Sequence, residues 1–235
     1  MLIGLLSDAH GNPLSVRRCL RILRSAGAEE IRFLGDAVGY LPGGAEVIDI
    51  LADADVVCQQ GNHEAMLLGR LAVDARREAS YQLSATARHL KPRHWAELAS
   101  WPDSREVTID GRRILFVHGT PRDPLTGYFY PDGDLADFDD VDYDAVLMGN
   151  THRPFVATRG NTTIANVGSC GLPRDQGDLP SCALFDTVAN TCRVLRTRVS
   201  AAAVVEQFGG AGVTPLVMEC LRRHASDCFG ELVAA

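Results

Sequence analysis

Leu2-Ile3-Gly4-Leu5-Leu6-Ser7-Asp8-Ala9-His10-Gly11-Asn12-Pro13 is the stretch on which the reading of this chain turns. Its apolar opening, Leu2 to Leu6, has the length of a buried strand. Pro13 suits the first position of a helix, with Asn12 as its cap. Asp8 and His10, two residues apart at the mouth of a strand, can both turn toward one point. Alone, an Asp-x-His pair is a common occurrence, and its weight rests on whether ligand-type residues recur at other strand ends. They do. Ile31 to Leu34 runs into Gly35-Asp36, and Val56 to Gln60 into Gly61-Asn62-His63-Glu64. Arg112 to Val117 delivers His118, and Ala145 to Met148 delivers Gly149-Asn150-Thr151-His152.

Around these points the chain has a clear rhythm. Val16, Leu20, Leu23 and Gly27 fall at helical spacing over Pro13 to Ala26, with arginines between them facing water. A second helix is expected over roughly Ala45 to Ala52. The resulting β-α-β-α-β order calls for a parallel sheet with right-handed crossovers. Glu64 to about Leu98 is helical in pattern, broken at Pro92, and reads as two or three helices; Trp95 and Trp101 near its end read as core residues. Hairpins are expected about Asp110-Gly111, Gly160-Asn161 and Ala189-Asn190. The acidic run Asp132 to Asp144 reads as a solvated loop or exposed helix, and the tail from about Ala201 as helical with a break at Gly209 to Gly212. The expectation is a single α/β domain over residues 1–235, with two mixed β-sheets packed face to face as a sandwich and helices outside, an α-β-β-α order.

The chain has 235 residues, 46% apolar and 23% charged, enough to bury a substantial core. A net charge of −7 argues against nonspecific nucleic-acid binding, which uses basic surfaces. It leaves room for a small phosphorylated or nucleotide substrate held through metals. Seven cysteines with no CxxC spacing read as buried reduced thiols. The N-terminus lacks the charged segment of a signal peptide, and no stretch approaches the ~20 apolar residues that span a bilayer. No membrane association and a reducing cytoplasm are the expectations.

In an α/β sheet, ligands bind beyond the carboxyl ends of the strands, where Asp8, His10, Asp36, Asn62, His63, His118, Asn150 and His152 all stand. His89, His94 and His224 lie in polar helical stretches and need no special role. Mixed carboxylate, imidazole and amide ligands suit borderline divalent metals, manganese first, then iron, zinc or nickel. Asp36 is the natural bridge, since a carboxylate has two oxygens to share between two cations. Two metals about 3.5–4 Å apart can clamp a phosphoryl group and generate hydroxide.

SDAHGN at Ser7 to Asn12, LGDAVGY from Leu34, GNHE at Gly61 to Glu64, VHGTP from Val117 and GNTHRPF from Gly149 together resemble the calcineurin-like metallophosphoesterases. The match runs in order from residue 2 to about residue 198, and NVGSCGLPRD from Asn166 resembles a segment of their small bacterial phosphodiesterase branch. The resemblance implies a dinuclear metal-dependent esterase, acting on phosphodiesters and also on monoesters, with a hydroxide bridging two divalent metals. It implies that Asp8, His10, Asp36 and His152 hold the first metal, that Asp36, Asn62 and His118 hold the second, and that His63 is catalytic. Two positions depart from the pattern. Asn150 stands where the family has a histidine ligand of the second metal, and a neutral amide is a weaker ligand. Gly39 and Tyr40 replace the Asp-Arg of the protein Ser/Thr phosphatases, so the partner that orients His63 in that branch is missing. Arg153 and Arg174, and less so Arg122, are candidates to hold phosphate. Other readings stay open here: a metal-binding scaffold or sensor of the same fold, or a dinucleoside-polyphosphate or protein phosphatase.

Overall fold

The computed structural model describes residues 1–234. Strand β1 (Leu2–Leu6) lies between β2 (Glu30–Phe33), which runs parallel to it, and β9 (Ser181–Asp186), which runs antiparallel. With β3 (Val57–Cys58), β10 (Thr191–Arg196) and β11 (Glu231–Leu232) they form one sheet, ordered β11-β10-β9-β1-β2-β3. The second sheet is ordered β4-β5-β6-β8-β7, from β4 (Ser104–Ile109), β5 (Arg112–Val117), β6 (Ala145–Met148), β7 (Phe155–Arg159) and β8 (Thr162–Asn166). Both sheets are mixed, and the expected sandwich is what the chain forms.

Strand alternation explains the packing. Ile3, Leu5, Ala183, Phe185 and Val194 point inward from the first sheet and meet Ile114, Phe116, Ala145, Leu147 and Ala165 of the second. Each large side chain fully buried there stabilises the fold by about 1.5–3 kcal/mol before entropy is counted. The opposite face of the first sheet carries Leu6, Ile31, Phe33 and Cys58, covered by α1 (Pro13–Ser25) and α2 (Gly44–Asp53) through Val16, Leu20, Leu23, Val47 and Leu51. Helix α1 starts as expected, with Pro13 in its first turn and the Asn12 side chain accepting from the Ser15 amide at 3.3 Å. The outer face of the second sheet is covered differently, by Phe129 and Phe138 from the long segment after β5. The acidic run there contributes one 3-10 turn, Leu135–Phe138.

Several boundaries differ from the pattern reading. The third strand is cut to Val57–Cys58 because the Gln60 amide bonds the Pro102 carbonyl at 2.8 Å instead of continuing along β2. The helical stretch resolves into four short helices, α3 (Asn62–Leu67), α4 (Ala75–Tyr81), α5 (Leu83–Ala87) and α6 (Pro92–Ser100). Asp74 caps α4, and Gln82 in left-handed geometry separates it from α5. The tail forms α7 (Ala201–Glu206) and α8 (Pro215–Leu221) around the expected glycine break, but it ends as β11 rather than as helix. Two residues are too few to carry a strand period. This edge is held by its backbone pairing with β10 and the Val233 amide bond to the Arg196 carbonyl at 2.8 Å, with the exposed Arg193–Glu231 ion pair beside it. Six of the seven cysteines are buried, and Cys228 is exposed. Trp101 is buried against Phe33. Among the described residues no helix is long and apolar enough to cross a membrane.

Candidate metal centre

β1, β2 and β3 are parallel to one another, as are β5, β6 and β8, so the carboxyl ends of each set open on one edge of its sheet. The two edges are stitched together where they meet. The Cys170 amide bonds the Ser7 carbonyl at 2.9 Å, and the Asn150 amide donates to Asp8 Oδ2 at 3.0 Å. Asp8, His10, Asp36, Asn62, His63, His118, Asn150 and His152 all lie in this seam, each 5% exposed or less. Asn62 and His63 occupy the first turn of α3 rather than a loop.

Nδ1 of His10 faces the Val38 carbonyl at 3.2 Å, Nδ1 of His118 the Leu34 carbonyl at 2.8 Å, and Nδ1 of His152 the Leu172 carbonyl at 2.6 Å. A carbonyl only accepts, so each Nδ1 carries the proton and each Nε2 presents a lone pair inward. Those lone pairs converge. His10 Nε2 and His152 Nε2 are 2.9 Å apart, and Asp8 Oδ1 lies 3.1 Å from His152 Nε2 and 3.7 Å from His10 Nε2. Asp36 Oδ2 lies 3.7 Å from His10 Nε2 and 3.4 Å from His118 Nε2, which in turn is 3.1 Å from Asn62 Oδ1.

Acceptors so close, with no donor among them, repel unless a cation lies between. Asp8 Oδ1 is buried with no hydrogen-bond partner. The residues therefore fit divalent metal ions, and three overlapping groups have the reach to hold them: Asp8, His10 and His152; His10, Asp36 and His63; and Asp8, Asp36 and His118. Asp8, His10 and Asp36 each belong to two of these groups.

The electrostatics carry the same demand for positive charge. Burial opposes ionisation of Asp8 and Asp36, yet the surrounding imidazoles hold both carboxyls well below the usual range. Burial likewise opposes charge on His118, but the carboxylates of Asp36, Asp8 and Glu64 raise it to about 10. Burial and the nearby Arg174 guanidinium lower His152 to about 4.

His63 stands at the edge of these groups. Its Nε2 lies 3.9 Å from Asp36 Oδ2, while its Nδ1 is buried without a partner. The ring is caged by Tyr40, stacked at 5.3 Å, and by Tyr81, at 4.3 Å between centroids. Gly39, at φ +90°, makes room for it, since a Cβ there would stand 2.3 Å from His63 Nδ1. Burial pushes His63 down to about 3, so the ring is neutral near pH 7.

Arg174 is half-buried, donates to the Tyr40 hydroxyl at 2.9 Å, and bonds the His152 carbonyl through its own amide at 3.2 Å, which places it at the rim of the cluster. Arg153 is exposed, and Arg122 pairs with Asp140 at 3.8 Å in solvent. Asn150 turns its amide nitrogen to the Gly127 carbonyl at 2.8 Å.

Glu64, whose role the GNHE motif does not reveal by itself, organises the site. Its two oxygens accept from the amides of Asp36 (2.7 Å), Gly61 (2.8 Å), Ala37 (2.8 Å) and Val38 (3.3 Å), tying the loop after β2 to the start of α3. Tyr40 and Tyr81 also escaped the pattern reading, because caging a ring leaves no sequence signature.

Comparison with known proteins agrees with this geometry. The calcineurin-like phosphoesterase superfamily domain matches residues 1–190. The chain belongs to that superfamily. It is 28% identical over 204 residues to an uncharacterized protein of Methanocaldococcus jannaschii, covering 79% of this chain and 82% of that one. A metallophosphoesterase from Sphaerobacter thermophilus superposes with a TM-score of 0.78 at 26% identity, covering 94% of this chain and 98% of its own. A hypothetical protein from Pyrococcus horikoshii superposes with a TM-score of 0.80 at 18% identity, covering 97% and 99%.

Proposed function

We propose that this phosphoesterase-superfamily chain is a phosphodiesterase that works with two divalent metal ions, manganese first among the borderline candidates. The observation that supports this most is the donor-free convergence of His10, His118 and His152 on Asp8 and Asp36, with each imidazole proton fixed to a backbone carbonyl. Asp8, His10, Asp36 and His152 would hold one ion, and Asp36, Asn62 and His118 the other. When bound, the pair supplies charge neutralisation at the phosphoryl oxygens and a hydroxide nucleophile near neutral pH.

The protein's own groups then orient the ester. Arg174, held by Tyr40, offers its remaining guanidinium donors to a nonbridging oxygen. His63 is neutral, and with Nδ1 unpartnered it carries its proton on Nε2, the atom facing Asp36. It donates that proton as a hydrogen bond to the oxygen gaining charge as the ester breaks, and the Tyr40–Tyr81 cage holds its aim. A placed group of this kind contributes about 10²–10⁴ in rate.

The test is metal analysis joined to turnover. Manganese-loaded protein is expected to carry two ions per chain and to hydrolyse bis-p-nitrophenyl phosphate, with slower action on p-nitrophenyl phosphate. His63→Ala is expected to lose about 10²-fold or more in kcat. No turnover with manganese, iron, zinc or nickel, or full activity in His63→Ala, overturns the proposal.

A further inference from the structure

The acceptor cluster explains how the phosphorus end of an ester is held and leaves open what is attached to it. A cavity of about 280 Å³ opens against Asn62, lined by Asn62, Met66, Leu71, Arg77, Tyr81 and Tyr128 among others. It is contiguous with the centre: Asn62 Oδ1 is 3.1 Å from His118 Nε2, and the Tyr81 ring that forms one wall also cages His63. A substituent on an oxygen leaving phosphorus beside Asn62 and His63 would have this space to enter.

We propose that the cavity is the leaving-group subsite, and that it takes a flat aromatic ring system bearing its own anionic group, the chemistry of a nucleotide unit. The inference rests on the phosphodiesterase reading above. In the step it serves, water oxygen bonds to phosphorus, the bond from phosphorus to the nucleotide oxygen breaks, and the proton from water ends on that departing oxygen.

The walls match this ligand. Tyr81 and Tyr128 line it with aromatic rings and Met66 and Leu71 with apolar groups, and the volume is just below the ~300 Å³ at which ligand-sized clefts begin. A lone nucleobase is small enough for such a space, whereas an acyl chain would leave the rings unused. Outside the cavity the Tyr128 ring continues onto Tyr130, stacked at 6.0 Å with only 7° between planes. Both rings are solvent-facing, 51% and 41% exposed, so their surfaces are open to a ligand. At the rim Arg77 is 57% exposed and only grazes Asp74 at 3.9 Å, so most of its donors are free for a second phosphate.

The wall is also anchored. Tyr128 follows Gly127, whose carbonyl accepts from Asn150 at 2.8 Å and whose amide donates to the Asp123 carbonyl at 3.1 Å. The asparagine that stands in place of a histidine ligand therefore fastens the segment carrying Tyr128. Asn150 is a positioning residue for the subsite, and the exchange that weakens the second metal site builds a wall for the leaving group.

Calorimetric titration of the manganese-loaded protein with adenosine 5′-monophosphate and with ribose 5-phosphate isolates the base, since both ligands carry the same phosphate. The nucleotide is expected to bind at least about 10-fold tighter, within the range of one aromatic stack. Tyr128→Ala is expected to erase that ratio, Tyr128→Phe to keep it, and Asn150→Ala to reduce it. Replacing the monophosphate by adenosine 3′,5′-bisphosphate is expected to tighten binding further, and Arg77→Met to remove that gain. Equal affinity for the two phosphates in the native protein, or an unchanged ratio in Tyr128→Ala, overturns the inference. Because the readout is binding, the two failures separate. Protein that hydrolyses bis-p-nitrophenyl phosphate without base preference refutes the subsite alone, and protein that prefers the nucleotide yet cleaves no ester refutes the phosphodiesterase reading alone.

Discussion

Replacing Gly39 by alanine tests how the His63 ring is held. A Cβ at this position would stand 2.3 Å from Nδ1 and 2.9 Å from Cε1 of His63, and the ring can reach ordinary contact only by retreating about 1.1 Å. Tyr40 and Tyr81 leave it little room to slide without tilting Nε2 away from Asp36. A misplacement of about 1 Å costs on the order of 10²-fold in rate. The alanine also sits at φ +90°, which adds about 1–3 kcal/mol of backbone strain. The expected result is therefore a 10²-fold fall in kcat on bis-p-nitrophenyl phosphate with a modestly lowered urea midpoint and unchanged metal content. The decisive measurement is the double variant. If Gly39 acts through His63, adding Gly39→Ala to His63→Ala lowers kcat no further. Fully additive losses would refute the reasoning, as would an undiminished kcat in the single variant.

Three more outcomes are expected. If two ions bind as proposed, Asp36→Asn should lower the content of both by elemental analysis, because Asp36 is the carboxylate assigned to each; loss of a single ion would refute the bridge. Arg196, whose side chain is fully buried, pairs with Asp175 through two hydrogen bonds of 2.6 and 3.0 Å, so Asp175→Ala strands a buried cation and should cost about 3–5 kcal/mol. An unmoved urea midpoint would refute that account. In metal-free protein, His63 titrates at about 3 because of burial, below the ~6.5 of the unfolded chain, so the unfolded state binds more protons between these values. Native stability should then fall as pH drops through that window, and the gap between native protein and His63→Gln should narrow by a few kcal/mol between about pH 7 and about pH 4. A constant gap would refute the depressed value.

Much of this was legible because strand ends punctuate the sequence. An apolar run of four or five residues followed by glycine beside aspartate, asparagine or histidine marks both where a strand stops and what stands there. Asp8, Asp36, His118 and His152 could therefore be placed before any fold was seen. What escaped depends on contacts between elements. Glu64 acts on backbone amides up to 28 residues away, and Tyr81 reaches His63 from the end of a helix whose own pattern is polar. β11 is too short to show a period, and the Gln60 amide leaves the sheet for a carbonyl far along the chain. Arg153 was the converse case, adjacent in sequence to His152 yet turned to solvent, while Arg174 comes to the rim through its amide bond to His152.

The backbone at the centre shows what these loops cost and what holds them. Asp8, His10, Asp36, Asn150 and His152 all have positive φ, from 45° to 66°, a region few residues other than glycine enter. At about 1–3 kcal/mol each, the five positions would unravel a loop left to itself. They persist because the amides around them are bound to neighbouring loops of the first sheet: Asp8 to the Gly35 carbonyl at 2.9 Å, His10 to that of Asp36 at 2.9 Å, and Asp36, Ala37 and Val38 to the Glu64 carboxylate. Glu64 is in turn buried beside Asp36, and burial and that charge raise its carboxyl to about 7 against the pull of its four amides. Positive charge placed on Asp36 relieves this repulsion. Ion binding and loop order would therefore be coupled through Asp36 and Glu64, each stabilising the other.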